Sequence, residues 1–321
     1  MPLPVVSIGI VTWNSAVHLP SCFEGLALQT DIIFELIIVD NASIDNSLEV
    51  VKEYFPDTKI ICNDSNTGFC HAQNQAIRSS TGRYYLALNP DVEMEPGYIS
   101  GLVRELEKRP GYGSGAGKLL LKPSAMNPSK LDSTGLFINR CRRQYLRGHG
   151  EIDRGQYDQP GDVFGVDGAA PLYRREMLED IKIDGQYFDE IFFTHKEDVD
   201  LAWRARLLGW ACWYVPKAVA IHERNFKPRQ RESHSREIRI HAIKNRYILL
   251  IKNEQPSGWF RDSFWIIWYD LKIFLYICLF EPSSLNAIFI LWRNRSTMRK
   301  WRQEIIRRIR VEPAEMLAWF R

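Results

Sequence analysis

Apolar, β-branched runs closed by polar turn clusters alternate with stretches whose apolar residues recur at helical spacing. Residues 5–12, Val-Val-Ser-Ile-Gly-Ile-Val-Thr, predict a buried first strand that ends in the polar turn Trp13-Asn14-Ser15. A helix over about 17–28 follows. A second apolar run at 34–39 is closed by the cluster from Asp40 to Ser47, which offers several N-caps for a helix carrying Leu48, Val51 and Phe55. Strand, turn and helix thus occur twice, and a doubly wound parallel sheet is the fold they predict. Residues 59–62 predict a third strand, and Asn66-Thr67-Gly68-Phe69 leads into another helix.

The fourth strand, residues 84–88, organises the remainder. It delivers Asn89 and Asp91 at its carboxyl end across Pro90, where open α/β sheets place their ligands. A carboxylate there is suited to hold a divalent cation on a diphosphate. Taken as a bare tripeptide, Asn89-Pro90-Asp91 reads equally as turn chemistry closing a strand. A helix over 99–108 comes next. No Gly-x-Gly-x-x-Gly follows the first strand, so the dinucleotide fingerprint is absent there. Residues 111–117 are glycine-rich but open no helix, and they read as loop and strand edge.

Residues 123–160, rich in Pro, Ser, Gly and Arg, predict a hairpin or mobile loop over the site. Its Arg140, Arg142, Arg143 and Arg147 could meet an anionic substrate or form a solvated basic loop. Residues 165–173 predict a strand whose small side chains let a ligand approach the backbone. Glu197, Asp198 and Asp200 open a helix that Gly209 stops. The helix dipole favours acids in a first turn, and helical geometry turns Asp198 about 100° away from Glu197, so capping is expected for at least two of the three. One remains as a candidate base. Short apolar runs at 213–215 and 218–221 bring His222 to a strand end.

Composition adds one asymmetry. The net charge is +3, yet from Arg224 to Arg310 there are 19 Lys and Arg against 7 Asp and Glu, leaving the remainder acidic. A basic helix is predicted over 229–252, and residues 259–280 are aromatic and aliphatic but interrupted by Arg261, Asp262, Asp270 and Lys272. Their uninterrupted apolar run, 273–280, is too short to span a bilayer. With the basic segment 293–310, this composition predicts helices in the membrane interface, the rival being helices packed on protein. Six cysteines without Cys-x-x-Cys spacing, and an amino terminus without a basic patch and long apolar run, predict a reduced, cytosolic setting.

Taken in order, several motifs together resemble the inverting GT-A glycosyltransferases of family two, in particular their non-processive, rhamnosyltransferase-like branch. They are Ser7 to Asn14, Ile38 to Ser47, Asn66-Thr67-Gly68-Phe69 with Asn74, Leu88-Asn89-Pro90-Asp91-Val92, Phe188-Asp189-Glu190, Glu197 to Leu201 with Arg204 and Gly209, and His222. The resemblance covers about residues 5–250. It implies a mostly parallel, Rossmann-like GT-A domain over 1–225, with a nucleotide-sugar half at 1–122 and an acceptor and catalytic half at 123–225. A basic, aromatic-rich, membrane-associating helical region follows at 226–321.

The implied reaction is sugar transfer from a nucleotide diphosphate to a lipid-linked or glycan acceptor, with dTDP-rhamnose as the first donor and a UDP-hexose or UDP-N-acetylhexosamine as the alternative. The resemblance casts Asp40 as the reader of the base, with Thr12, Asn14 and Ser43 nearby, and places Gly68, Asn74, Asn89 and Arg204 in the donor site. It makes Asp91 the last position of the metal motif, with His222 completing a site for Mg²⁺ or Mn²⁺, and Asp198 the general base. Asn89 stands where the family's first metal-motif carboxylate would be. Rival readings are a catalytically silent membrane adaptor and a nucleic-acid-binding protein that uses the basic tail.

Overall fold

Every residue of β1 (Val6–Thr12) is buried, because helices cover both of its faces. Val6, Ile8 and Ile10 point into one core and Val11 into the other, as the two-residue period of a strand requires. The computed structural model describes residues 4–122, 129–224 and 235–321. Parallel to β1 run β2 (Phe34–Asp40) and, on the other side, β4 (Tyr84–Leu88); β3 (Lys59–Cys62) is parallel to β2. The connecting helices are α1 (Leu19–Ala27), α2 (Ser47–Tyr54) and α3 (Phe69–Arg78). Predicted and observed bounds agree here to within two residues.

Beyond β4 come the short β5 (Val92–Met94), α4 (Tyr98–Glu107) and the ten-residue β6 (Tyr112–Leu121). The glycine-rich segment is therefore no loop but a strand inside the sheet. Its glycines leave room for neighbours: a Cβ at Gly113 would collide with Met177 and one at Gly117 with Tyr98. Residues 129–163 carry β7 (Leu131–Ser133), the hairpin β8 (Leu136–Ile138) and β9 (Gln144–Leu146), and β10 (Gly161–Val163). The segment 165–171, expected as strand, is irregular. Apart from a single bridge of Gly165 to Leu136, only β11 (Leu172–Arg174) pairs, running antiparallel between β4 and β6.

After β11 come α5 (Arg175–Ile181), α6 (Glu197–Leu207) and β12 (Ala211–His222). The two short runs expected before His222 form this one strand, parallel to β6, with a register shift between Val215 and Val219. The sheet order is β10-β12-β6-β11-β4-β1-β2-β3. It is the mostly parallel sheet expected, with β11 reversed inside it.

The boundary expected at 225/226 falls within residues outside those described. Residues 225–234, where the basic helix was expected to begin, lie outside the described residues; the helix α7 runs Arg236–Asn253. With α8 (Pro256–Phe280), α9 (Asn286–Arg293), α10 (Arg295–Arg308) and α11 (Pro313–Trp319) it completes the chain. Ile248, Leu249, Trp301, Ile305, Met316 and Phe320 belong to the same core as β4, α3 and α6. Packing on the sheet domain thus accounts for α7, α10 and α11.

Helix α8 is continuous, and it is long and apolar enough to cross a membrane by length and composition. Its charges are not interruptions. Asp262 is fully buried against Arg140, Arg142 and Arg261, and Asp270 pairs with Arg246 at 2.7 Å. One side of α8 is therefore tied to the domain. Phe260, Phe264, Trp265, Trp268, Leu279 and Phe280 on α8 and Phe289 and Trp292 on α9 are exposed.

Candidate active site

At the carboxyl ends of β1 and β2 two loops interlock. Thr12 Oγ1 donates to Asp40 Oδ1 at 2.8 Å, and the Ser43 N–H donates to Asp40 Oδ2 at 3.0 Å. The Asn14 N–H donates to Ser43 Oγ and Asn14 Oδ1 accepts from the Ile44 N–H, both at 2.9 Å. The structure so brings together the four residues expected to read the nucleotide. Both Asn14 (φ 52°) and Ala42 (φ 60°) are left-handed, which sharpens the two turns. Trp13, more than half exposed beside Asn14, read in sequence only as a turn residue; an exposed indole at a strand end is the signal that it can do more.

Two expected donor contacts lie elsewhere. Asn74 is wholly buried: its amide donates to Phe188 O and Glu190 Oε1, and its oxygen accepts from the Tyr187 and Phe188 N–H groups. Arg204, 1% exposed, binds Asp200, Ile181 O and Tyr187 O. Both spend their donors and acceptors fixing residues 181–190, so neither reaches a nucleotide sugar. Gly68 (φ 86°) opens α3 beneath the Phe193 ring, which a Cβ would strike. Its role in the structure is to seat the loop that precedes α6.

Asn89 donates its N–H to Ala169 O at 2.8 Å and thereby joins the end of β4 to the small-residue segment 165–171. Asp91 Oδ1 is buried and makes no hydrogen bond, and it faces His222 Nε2 at 3.4 Å. His222 Nδ1 is held by Asp132 Oδ2 at 2.7 Å. Asp132 also binds Arg224, whose Nη2 reaches Asp167 Oδ2 at 2.6 Å. A carboxylate behind one imidazole nitrogen fixes the tautomer and aims the other nitrogen outward, the arrangement common at metal-binding histidines. The donor set of one free carboxylate oxygen and one aimed imidazole nitrogen fits a divalent cation. Burial disfavours the charged imidazole, but Asp132 and Asp91 outweigh it and raise His222 to about 9, so the unliganded ring is protonated and a cation would take the place of its Nε2 proton. Asp132 has no sequence signature; it meets His222 only through the pairing of β7 with β6 and of β6 with β12.

The three acids of α6 have three fates, and none is its N-cap, which is the left-handed Lys196. Asp200 is structural: Lys252 Nζ lies 3.0 Å and Arg204 Nε 2.9 Å from it. Asp198 is turned toward the cleft, its Oδ2 accepting from the Gly168 N–H at 3.1 Å next to Asp167. Burial and the Asp167 charge raise its carboxyl above the usual range. Glu197 is buried with Oε2 unbonded, and burial and Asp198 raise it too.

Phe193, His195 and Lys196, just before these acids, all have φ between 66° and 70°. Such strain persists only where surroundings impose it. Here α7 imposes it: Asn245 Nδ2 bonds the carbonyls of Phe192, Thr194 and His195, and Lys244 bonds those of Ile191 and Phe192. In sequence, Lys244 and Lys252 read only as charge on a basic helix. They are buried struts.

A mostly parallel sheet with polar loops at the ends of β1, β2 and β4, and an acid-headed helix closing on them, defines the GT-A class of nucleotide-diphospho-sugar transferases. The family profile described as Glycosyl transferase family 2 matches residues 7–182, and the chain belongs to that family of glycosyltransferases. Among characterised relatives, the N-acetylglucosaminyl-diphospho-decaprenol L-rhamnosyltransferase of Mycobacterium tuberculosis is 27% identical over 281 residues, covering 81% of this chain and 86% of that protein. A PGL/p-HBAD biosynthesis glycosyltransferase of Mycobacterium bovis is 36% identical over 94 residues, 28% of this chain and 37% of that protein. Among solved structures, S. aureus TarS 1–349 in complex with UDP-GlcNAc superposes with a TM-score of 0.58 at 15% identity, covering 94% of this chain and 91% of that one. The mannosyltransferase PcManGT of Pyrobaculum calidifontis, solved with GDP-Man and Mn²⁺, gives 0.51 at 15% identity, covering 95% and 84%.

Proposed function

We propose that the chain transfers rhamnose from dTDP-rhamnose to a lipid-linked acceptor, with inversion at the anomeric carbon, at the cytoplasmic face of the plasma membrane. The observation that carries this reading is convergence: Asp198, with a raised pKa, and the Asp91–His222 pair meet at the carboxyl end of the sheet, linked through Asp167, Arg224 and Asp132. The rhamnosyltransferase relative, similar over four-fifths of the chain, supports the sugar and the lipid-linked acceptor.

In this reading the Thr12, Asn14, Asp40 and Ser43 loops take the nucleoside, with the Trp13 ring beside them. Asp91 and His222 would hold Mg²⁺ or Mn²⁺. Among the described residues no third acidic, His or Cys ligand joins them, which leaves the other positions to diphosphate and water. When bound, the cation neutralises charge on the departing nucleotide diphosphate. An acceptor hydroxyl has a very high pKa, so it attacks as its proton passes to Asp198, a stronger base than a solvated aspartate. Attack from the face opposite the leaving group inverts the sugar. The exposed aromatic faces of α8 and α9, with the basic α10, suit the interface of an anionic membrane.

Calorimetric titration with dTDP-rhamnose, UDP-glucose and UDP-N-acetylglucosamine, each with and without Mn²⁺, tests the donor. Metal-dependent binding of dTDP-rhamnose is expected, and Asp91→Ala should remove the metal dependence. Binding of a UDP-sugar instead would replace the donor, and an unchanged metal titration in Asp91→Ala would remove the cation assignment.

A further inference from the structure

The β8–β9 hairpin, the turn ending at Lys196 and the facing sides of α7 and α8 enclose a cavity of about 400 Å³. Arg143, Lys196, Arg246 and Lys272 line it together with Tyr269 and Tyr276, and no carboxylate does. Arg246 is committed to Asp270. Arg143 and Lys272 lie over the rings of Tyr145 and Trp268, and with Lys196 they form no ion pair among the described residues. By contrast Arg140 and Arg142 are bound to Asp262, and Arg147, which bonds Thr134, does not line the cavity, so of the four arginines of this segment Arg143 is the one that faces it.

Three uncommitted cations around one cavity repel each other. Desolvation and the neighbouring Arg246 and Arg143 charges lower Lys196 to about 8, against the opposing pull of Asp198 and Glu197. A multivalent anion would relieve that repulsion, and charge-assisted bonds to phosphate oxygens are the strong kind. The inner wall fixes which anion. Lys196 lies two residues before Asp198, so a group seated here borders the base. The outer wall is α8, whose Trp265, Trp268, Leu271 and Leu275 are exposed. An occupant with its charge inside and hydrocarbon outside matches both walls.

We propose that this cavity binds the diphosphate head group of the lipid-linked acceptor, its hydrocarbon chain leaving along the exposed face of α8. The inference rests on the proposed glycosyl transfer to a lipid-linked acceptor and names the group by which that acceptor is held.

The test is fluorescence titration of the full chain with farnesyl diphosphate in EDTA, so that no cation at Asp91 can hold a diphosphate. Farnesyl diphosphate should bind native protein saturably and be displaced by inorganic pyrophosphate. Affinity should fall about tenfold or more in Arg143→Glu/Lys272→Glu, both exposed positions, while farnesol binds native and variant alike. Lys272→Gln alone should weaken binding in the same direction. Equal affinity of native and double variant for farnesyl diphosphate, or no displacement by pyrophosphate, overturns the proposal. Donor calorimetry on the same preparations separates the two readings. A native protein that binds donor but does not discriminate in the farnesyl diphosphate titration defeats the cavity alone. One that discriminates but binds no donor defeats the proposed reaction and leaves the anion site standing.

Discussion

The proposed donor side of the site and its proposed catalytic side are held by different means. On the donor side Thr12, Asn14, Asp40 and Ser43 bond one another across the ends of two adjacent parallel strands, so the geometry comes with the sheet. On the catalytic side Asp198 sits after a run of left-handed residues that α7, about fifty residues further on, holds in place. The nucleotide loops are local products of strand and turn. The proposed base is positioned by a remote helix, and activity should be separable from donor binding.

The largest expected effect follows. Asp198→Asn should lower kcat by about 10²–10⁴ while donor affinity stays within about twofold, because proton transfer acts in the transition state. Collapse of donor binding in this variant, measured by calorimetry, would merge the two sides. The same substitution should raise the thermal midpoint. A carboxyl whose folded pKa lies above its unfolded value contributes stability that is fully present below the unfolded pKa and lost as pH rises through the folded one. At neutral pH the ionised Asp198 is thus a cost that Asn removes, as active sites often trade stability for function.

A second break is aimed at the strut. Lys252, with no exposed surface, pairs with Asp189 at 2.5 Å and Asp200 at 3.0 Å. Lys252→Met leaves buried Asp189 without a cation and Asp200 with Arg204 alone, and should cost about 3–5 kcal/mol in urea unfolding. In the protein that remains folded, kcat should fall more than donor affinity. A loss confined to donor affinity would reverse the comparison.

The same contrast governs what the sequence discloses. The four donor-side residues stand at or just past the ends of two apolar runs, so strand, turn and site can be read together from one short stretch. The same pattern places Asp91 and His222 at strand ends, while the metal role expected of His222 comes only from the family resemblance. Asp132 cannot be read this way, since three strands must pair before it meets the imidazole. Asn74 and Arg204 follow the family pattern, and only their burial and saturated hydrogen bonds reveal them as structural. The charges in α8 looked like breaks in an apolar segment because their partners Arg142 and Arg246 are distant in sequence. Long-range ion pairs leave no local period to detect.

A smaller effect is the pH profile. In the proposed mechanism the rate requires ionised Asp198, so kcat should decline as pH falls through its raised pKa, placing the acid limb above the ordinary aspartate value of about 3.9. Donor affinity should pass through that range without the same limb. An acid limb at the ordinary value would show Asp198 to be solvated in the working enzyme, against the burial seen beside Asp167.

The smallest effect probes the turns themselves. Ala42 is left-handed without a glycine's freedom, and no side-chain hydrogen bond justifies it, in contrast to Asn14, whose side chain bonds Ile44. Ala42→Gly relieves the strain but adds entropy to the unfolded chain, so stability should change by no more than about 1 kcal/mol. Donor affinity should then be unchanged, because the Asp40 to Ser43 and Thr12 bonds already fix the loop. His195→Gly is the matched change on the catalytic side, where φ is similar but the backbone is held from α7. If the donor-side change proves as damaging to kcat as His195→Gly, measured in parallel, the nucleotide loops are not set by the sheet, and both sides depend on distant support.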